Sequence, residues 1–176
     1  MGKYFITGNA ATGKSSIITN LKKRGFTAYD IEDELPDVYG FLDLETNEIL
    51  DALPEITDHG AAAFTRYTSV IKEAELKKVL ETDETVFLSA NCNIQEKYYP
   101  LFDKTFGLIA STETLKKRLA GRNSNNIGHN KEDRAYLLSI NNIVEAQLKG
   151  MKAIVVDTEQ PLDAVVEKIL SYVNES

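Results

Sequence analysis

A short stretch near the start of the chain carries residue types and a spacing that can hold phosphate. It reads Gly8-Asn9-Ala10-Ala11-Thr12-Gly13-Lys14-Ser15 and matches the pattern G-x-x-x-x-G-K-[ST] in full. Two glycines let the backbone curl so that successive N–H groups point inward at phosphate oxygens. Lys14 supplies a mobile cation for the outer phosphates, and the Ser15 hydroxyl can ligate magnesium. The stretch, extended by Ser16, therefore predicts a site for nucleotide phosphates.

Such a loop needs a strand before it and a helix after it, and the sequence predicts both. An apolar, aromatic run over 3–7 precedes the loop, and a helical stretch over 14–24 follows it and stops at Gly25. The N-terminal end of that helix is positive and favours an anion. Without this setting, a Gly-rich turn with a surface lysine would be the simpler interpretation.

Polar residues gather where two further strands are predicted to end. Asp30, Glu32 and Asp33 follow a short strand over 26–29, and Asn91 follows a buried strand over 85–90. Ligands of open α/β sheets bind at this carboxyl edge. An acid there can take the proton of an attacking hydroxyl or support magnesium. Solvated loop residues or helix caps are the alternative interpretation of these acids.

Arginines bracket a polar segment late in the chain. Arg118 lies just before the segment 121–130 and Arg122 at its start, at i and i+4 on one predicted helix, so both can face the same way, and Arg134 follows the segment. Guanidinium groups bind phosphate oxygens bidentately, and a lid that carries them also excludes water. Arg66 can clamp an anionic acceptor group. For all four arginines, a solvated surface charge is the alternative.

The rest of the chain alternates short apolar runs with amphipathic stretches, which indicates a parallel sheet covered by helices. We expect an α/β fold of three layers around five strands, in one domain over 1–176. Segment 34–58 is expected to be a loop or a small substrate-side lid, and 121–131 a lid over the nucleotide. The other expected elements are strands over 104–110 and 151–156 and helices over 61–81, 95–99, 112–120 (with Thr112 as the cap), 132–149 and from Pro161 onward.

Composition narrows the classes of function. The chain has 176 residues and a formal net charge of −7, which argues against bulk nucleic-acid binding. No apolar run approaches the roughly 20 residues that a membrane span needs, and the first residues show no signal-peptide pattern. The single cysteine, Cys92, cannot form an internal disulfide, and neither His59 nor His129 has metal-ligand spacing. We expect a cytoplasmic monomer or homodimer without membrane or nucleic-acid partners.

Two classes of phosphate-loop protein compete for this pattern. A guanine-binding switch usually carries N-K-x-D, which is not found in the sequence. A motor-type ATPase usually ends its third strand in acids, whereas this chain has Leu88-Ser89-Ala90-Asn91 there. The late polar segment with its arginines favours a small-molecule kinase with a mobile lid.

As an ordered set, the motifs resemble those of the small phosphate-loop kinases of the nucleotide, shikimate and gluconate kinase type. More narrowly, they are similar to bacterial shikimate-kinase-like or nucleoside-kinase-like proteins whose substrate is generally unassigned. The resemblance spans most of the chain and is weakest over 35–84. The residues that carry it are the phosphate loop, Gly25-Phe26-x-Ala28-Tyr29-Asp30-x-Glu32-Asp33, Val86-Phe87-Leu88, Asn93-x-Gln95-Glu96-Lys97-Tyr98-Tyr99, Leu101-Phe102-Asp103-Lys104, Glu113-Thr114-Leu115-x-x-Arg118-Leu119-x-x-Arg122 and Asp157-Thr158-x-x-Pro161-Leu162.

The resemblance implies a strand order of 2-3-1-4-5 and a reaction. The terminal phosphoryl group of ATP, with Mg²⁺, would pass to a small acceptor: a nucleoside, a nucleotide or a hydroxyl-rich metabolite. A glycine run typical of shikimate kinases is replaced here by Ala90 and Asn91, which counts against shikimate itself. A nucleotide-binding regulator or weak ATPase without an acceptor is the alternative. An RNA-end or protein kinase of the same fold would need a basic entry groove, which the charge disfavours.

The resemblance also implies roles for the candidate residues. The catalytic set would be Lys14, Asp30 and Arg122, with Asp30 as base or magnesium support beside Ser15. Glu32 would be the second candidate base, and the substrate set would be Glu32, Arg66 and Asn91. Arg118 would lie on the adenine side, Arg122 on the phosphate side, and the backbone of Asp157 and Thr158 at the adenine edge.

The negative charge is concentrated on the acceptor side. Eleven acids lie between Asp30 and Asp58 with no Lys or Arg among them. The phosphate would therefore meet a local cationic cradle around Lys14 rather than the mean field of the protein. This distribution favours a neutral or hydroxyl-rich acceptor, unless Arg66 turns inward.

Overall fold

The computed structural model describes residues 2–53, 66–81, 84–91, 96–121 and 131–173. Arg122, Cys92, His59, His129 and the expected lid over 122–130 lie outside these residues. The strands are β1 Lys3–Gly8, β2 Thr27–Asp30, β3 Tyr39–Asp43, β4 Ile49–Leu50, β5 Tyr67–Ile71, β6 Val86–Asn91, β7 Lys104–Ile109 and β8 Ile154–Asp157. The helices are α1 Lys14–Lys23, α2 Ile31–Glu34, α3 Glu73–Leu80, α4 Thr112–Ala120, α5 Lys131–Ser139, α6 Asn141–Gly150 and α7 Leu162–Val173, with a 3₁₀ helix over Glu96–Leu101.

The central sheet has five parallel strands in the order β2-β6-β1-β7-β8. Counted along the sheet's own strands this is 2-3-1-4-5, so the expected topology is confirmed. β1 lies in the middle and ends at Gly8, where the phosphate loop begins. Its neighbour β6 ends at Asn91, and β2 ends at Asp30. The register places Gly8 opposite Asn91, and Asp30 opposite Ser89.

Apolar residues lie on both faces of this sheet, because other elements of the chain cover each face and exclude water from it. On one face, Tyr4, Phe87 and Phe106 pack against residues of α1 and α7 such as Ile17 and Val166. The rings of Tyr4 and Phe87 stack with centroids 5.0 Å apart. The opposite face buries a second cluster: Phe5, Leu88, Ile31 of α2, Leu76 of α3 and Tyr98 of the 3₁₀ helix. The two clusters hold the carboxyl ends of β1, β2 and β6 in fixed register.

The chain between β2 and β6 forms a second, antiparallel sheet of order β4-β3-β5. The sequence predicted a loop or a small lid over 34–58 and a helix over 61–81. The described part of the first segment contains β3 and β4, and the helix prediction is wrong over 67–71 and right over 73–80. Tyr67–Ile71 is a strand, and the helix begins only at Glu73. The aromatic and β-branched run Y-T-S-V-I suits a strand, and pairing Tyr39 with Ile71 satisfies its backbone.

The helix expected over 132–149 is instead two helices that meet at Ile140. The Ser139 hydroxyl donates to the Tyr136 carbonyl oxygen (2.7 Å), and such a bond competes with the helical pattern. The Asn141 side chain donates to the Ala110 carbonyl (3.1 Å).

A second correction concerns the N-cap of α4, which is Ser111 and not Thr112. The Ser111 Oγ accepts a hydrogen bond from the Thr114 N–H at 3.2 Å.

The remaining sequence boundaries agree with the structure to within a few residues. The helix expected over 14–24 is Lys14–Lys23, and the strands expected over 85–90 and 104–110 are Val86–Asn91 and Lys104–Ile109. The last strand begins three residues later than expected and ends at Asp157. Within the described ranges, no helix combines the length and the apolar character that a membrane crossing requires.

Candidate nucleotide and acceptor site

The phosphate loop turns sharply from β1 into α1. Gly13 has a φ of 105°, which L-residues with a side chain rarely adopt. A Cβ on Gly8 would lie 2.7 Å from the Leu108 carbonyl oxygen, so only glycine fits there. The Lys14 ammonium donates to the carbonyl oxygens of Gly8 (3.0 Å) and Asn9 (3.2 Å), which folds the side chain back over the loop. The sequence thus places a cation and a helix N-terminus at one point.

Ser15 and Asp30 meet beside this loop. The Ser15 hydroxyl donates to Asp30 Oδ2 at 2.8 Å, and Asp30 is buried at the end of β2. The backbone N–H of Asp30 donates to Glu34 Oε2 at 2.7 Å, and this bond fixes the backbone from which the Asp30 side chain extends. A hydroxyl and a carboxylate are hard oxygen donors of the kind Mg²⁺ prefers, with nucleotide phosphates and water completing its shell. Ser16 lies one residue further along α1 and is exposed.

Ser15 and Asp30 are the candidate metal-ligating side chains beside the phosphate loop. In the described part of the chain, no group of three or more His, Cys, Asp and Glu side chains is arranged to hold a metal ion. A magnesium ion here would therefore depend on substrate phosphates together with Ser15 and Asp30. This is the usual arrangement for Mg²⁺, which keeps several waters and takes only one or two carboxylates.

Glu32 and Asn91 form the next pair along the same edge. Glu32 Oε1 accepts from the Asn91 backbone N–H at 2.7 Å, and its Oε2 accepts from the Asn91 side-chain amide at 3.3 Å. Burial raises the pKa of Glu32, while the charge of Lys14 and the Asn91 hydrogen bond act in the opposite direction. The charge of Lys14 acts on this carboxyl, and its raised pKa makes it a candidate for proton exchange.

Arg118 lies between the phosphate loop and the segment after β8. Its guanidinium donates to the carbonyl oxygens of Ala11 (3.3 Å) and Thr12 (3.4 Å) and to the Thr158 hydroxyl (3.0 Å). Thr158 is itself held by the Ile109 carbonyl through its backbone N–H at 3.0 Å. The exposed Asp157 accepts from the Glu159 N–H at 2.9 Å. Arg118 and Thr158 therefore lie together beside the loop, and Asp157 precedes Thr158 in the chain.

Arg66 lies elsewhere. It donates to Asp43 Oδ2 at 2.8 Å and forms an ion pair with Glu45 at 2.9 Å, at the end of the antiparallel sheet. The guanidinium also sits over the Tyr67 ring, 5.3 Å from its centroid. The structure thus groups Lys14, Ser15, Asp30, Glu32 and Asn91 at one edge and does not bring Arg66 to them.

Sequence reasoning missed the partner of one predicted site residue. Asn9, predicted as part of the phosphate-binding loop, is buried and donates to the Leu137 carbonyl (2.9 Å) and to Asn141 Oδ1 (3.3 Å). Its own Oδ1 accepts from the Ala10 N–H at 2.8 Å. The partner Asn141 lies 132 residues away, and no spacing rule connects the two.

Ser69, the hydrogen-bond partner of Tyr39 on the antiparallel sheet, was also missed. Tyr39 and Ser69 share a hydrogen bond of 2.8 Å. Burial and, next, the charge of Glu32 raise the pKa of Tyr39, so the phenol stays protonated beside that acid. The sequence signal for this pair was the strand character of 67–71, which the helix prediction obscured.

Solved structures with this fold are small P-loop kinases. Shikimate kinase from Acinetobacter baumannii in complex with shikimate superposes with a TM-score of 0.66 at 14% identity, covering 99% of this chain and 94% of that one. Deoxyadenosine kinase from M. mycoides gives 0.59 at 17%, covering 99% and 100%. A gluconokinase from Sinorhizobium meliloti 1021 gives 0.56 at 19%, covering 97% and 90%. The chain therefore has the fold of the small P-loop kinases, as the sequence resemblance implied.

The sequence comparisons add no narrower assignment. No protein-family model matches the chain, and no curated protein matches it. The kinases above share the fold with this chain across nearly its whole length, yet they act on different acceptors. The acceptor must therefore be inferred from the site itself.

Proposed function

We propose that the protein is an ATP- and Mg²⁺-dependent phosphotransferase that moves the terminal phosphoryl group of ATP to a small-molecule acceptor. The acceptor classes are a nucleoside, a nucleotide or a hydroxyl-rich metabolite. The observation that carries the proposal is the convergence at one sheet edge of Lys14, the Ser15–Asp30 contact of 2.8 Å and the Glu32–Asn91 pair. The P-loop kinase fold supports the same conclusion.

Binding of ATP would use the loop and its surroundings. The N–H groups over 8–15 and the N-terminus of α1 provide positive ends for the phosphates, and Lys14 swings from its carbonyl partners onto their oxygens. Arg118 and the backbone at Thr158 would flank the adenine. Ser15 and Asp30 would hold magnesium, which would supply neutralisation of the negative charge on the outer phosphates.

Transfer would use the acids on the acceptor side. An acceptor hydroxyl gives its proton to Asp30 or Glu32 while its oxygen forms a bond to the γ-phosphorus. The bond from that phosphorus to the bridging oxygen breaks, and its electron pair leaves with ADP. Glu32 is the better proton acceptor, because Asp30 would hold magnesium together with Ser15. Arg122, outside the described residues, is proposed as the phosphate-side arginine.

The remaining expectations are part of the proposal. The chain is proposed to act in the cytoplasm as a single domain, as a monomer or homodimer, without a nucleic-acid or membrane partner. The absence of a basic footprint in a chain of charge −7 supports the exclusion of nucleic acid.

The test is a transfer assay with ATP labelled on its terminal phosphoryl group, Mg²⁺ and a panel of nucleosides, nucleotides and polyols. We expect the label to move to an acceptor, to require Mg²⁺, and to be lost in Lys14→Ala. Lys149→Ala is the matched control, because Lys149 lies on α6 and pairs with Glu145 at the surface. Label released solely as inorganic phosphate would instead favour a weak ATPase. If the protein bound no nucleotide, the proposed ATP-dependent function would be wrong.

A further inference from the structure

The acceptor side of the site presents carboxylates and hydroxyls. Tyr39 packs against the buried cluster that contains Ile31, the residue between Asp30 and Glu32, and Ala90, the residue before Asn91. The charges of Asp30, Glu32 and Asp33 each raise the pKa of the Tyr39 phenol, after the larger effect of burial. Among the described residues, the cation whose charge acts on Glu32 is Lys14, which belongs to the phosphate loop and is committed to ATP in the proposed function. An anionic group on the acceptor would therefore meet like charges.

The hydroxyl groups there are fixed by the second sheet. Tyr39 and Ser69 come from adjacent strands, and their hydrogen bond holds both oxygens at 2.8 Å. The Tyr39 ring is braced edge-on by Phe41, with centroids 5.2 Å apart. Each hydroxyl can donate or accept a further bond. Such neutral groups suit an acceptor with several hydroxyls.

Arg66, the arginine of the antiparallel-sheet region, is paired with acids away from Tyr39 and Ser69. Arg66 binds Asp43 and Glu45, and this trio carries a net negative charge. Asp43 and Tyr39 are four residues apart on β3, which is about 14 Å at the rise of an antiparallel strand. The sequence from Gly25 to Thr65 contains no other Lys or Arg. Lys22 and Lys72, which flank it, pair with Glu34 and Asp51.

We propose, on the basis of the kinase function above, that the acceptor is an uncharged alcohol of the polyol or nucleoside class and not a carboxylate or a phosphate ester. One hydroxyl donates to Glu32 and is the group phosphorylated, with its proton passing to that carboxylate. Another hydrogen-bonds to the Tyr39–Ser69 pair. The phosphoryl donor is ATP, and the products are the phosphate monoester and ADP.

The test compares acceptors in pairs that differ in charge. The pairs are glucitol with gluconate, shikimate methyl ester with shikimate, and deoxyadenosine with its monophosphate. Each is titrated into the protein saturated with a non-hydrolysable ATP analogue and Mg²⁺, and binding is followed by calorimetry. We expect the neutral member of the pair that binds to have a Kd at least tenfold lower than its anionic partner.

Variants at Tyr39 and Ser69 test whether these two hydroxyl groups bind the acceptor. Tyr39→Phe should raise the acceptor KM about five- to tenfold, the loss expected for one hydrogen bond, and leave the KM for ATP unchanged. Tyr67→Phe is the matched control, because Tyr67 lies at the far end of the same sheet, opposite Asp43. Ser69→Ala should reproduce the change seen in Tyr39→Phe.

The outcomes separate this inference from the function on which it rests. Equal or tighter binding of the anionic members would overturn the uncharged-acceptor inference and leave the kinase function standing. Binding of the ATP analogue with no binding of any acceptor would overturn both the inference and the kinase function, in favour of a nucleotide-binding regulator. Identical KM changes in Tyr39→Phe and Tyr67→Phe would contradict the placement of the hydroxyl pair.

Discussion

The carboxyl group of Glu32 is the side chain whose chemistry depends most directly on its surroundings. Burial raises its pKa above the ordinary value of 4.5, because desolvation disfavours the charged form. If it takes the acceptor proton, the acid limb of the pH–rate profile must lie above 4.5. Glu32→Gln should remove that limb and lower kcat by about 10²- to 10⁴-fold. An acid limb unchanged in the variant would exclude Glu32 as the base.

The same raised pKa predicts how stability depends on pH. The native state holds the Glu32 proton to higher pH than the unfolded chain, so its contribution to stability is full below 4.5. That contribution is lost as pH rises through the native pKa. Glu32→Gln should therefore be at least as stable as the wild type at pH 8, since an amide is cheaper to bury than a carboxylate. Urea denaturation at pH 4.5 and pH 8 measures the difference.

Asn141 contributes to the site through Asn9. It accepts from Asn9 and donates to the Ala110 carbonyl, so Asn141→Ala leaves buried polar groups without these bonds. We expect a loss of about 1–3 kcal/mol in the free energy of unfolding and a weaker Kd for ATP, because the loop loses its support. Asn142→Ala, at an exposed neighbouring position, is the control. Equal ATP affinity in both variants would mean that Asn141 only stabilises the fold.

At the scale of elements, sequence reasoning succeeded where a pattern is local. The strand–loop–helix around Lys14 and the amphipathic helix after Pro161 carry their own signals, and both are present. It failed at Tyr67–Ile71, whose strand is decided by pairing with β3, and at Ile140, where Asn141 bonds to a distant carbonyl. These contacts are non-local, so no window of sequence around either point contains them.

The hairpin of the antiparallel sheet depends on Asp43. Its carboxylate accepts from the Glu45 N–H at 2.9 Å and from Arg66, and the Arg66 hydrogen bond holds the pKa of Asp43 below its ordinary value. A lowered pKa stabilises the fold above the unfolded value, and this stabilisation is lost as pH falls through the native pKa. Asp43→Asn should thus lower Tm at pH 7 and change it less near pH 2. Glu48→Gln, an exposed acid of the same hairpin, should change Tm at neither pH.

The charge of the whole molecule is divided between two regions. Among the described residues, Asp30 and Glu32 lie on the proposed acceptor side, whereas Lys14 and Arg118 lie against the phosphate loop. A protein of charge −7 can therefore bind a polyanion, because the local field at the loop differs in sign from the mean field. The phosphate-loop motif alone predicted the cationic side of the site. The charge of the proposed acceptor side could not be predicted from sequence, because Arg66 could have pointed toward the site or toward Asp43 and Glu45.

Ligand binding at this site should be visible in the stability of the whole fold. The loop joins β1 to α1, and residues of both belong to the same buried cluster, so occupancy stabilises the native state only. At about one hundred times Kd, a nucleotide adds about 2.7 kcal/mol. For a chain of this length, that corresponds to roughly 5–10 °C in Tm. Thermal unfolding with Mg²⁺ and a non-hydrolysable ATP analogue should show this rise in the wild type and in Lys149→Ala, and none in Lys14→Ala. An equal rise in Lys14→Ala would place the nucleotide away from the loop.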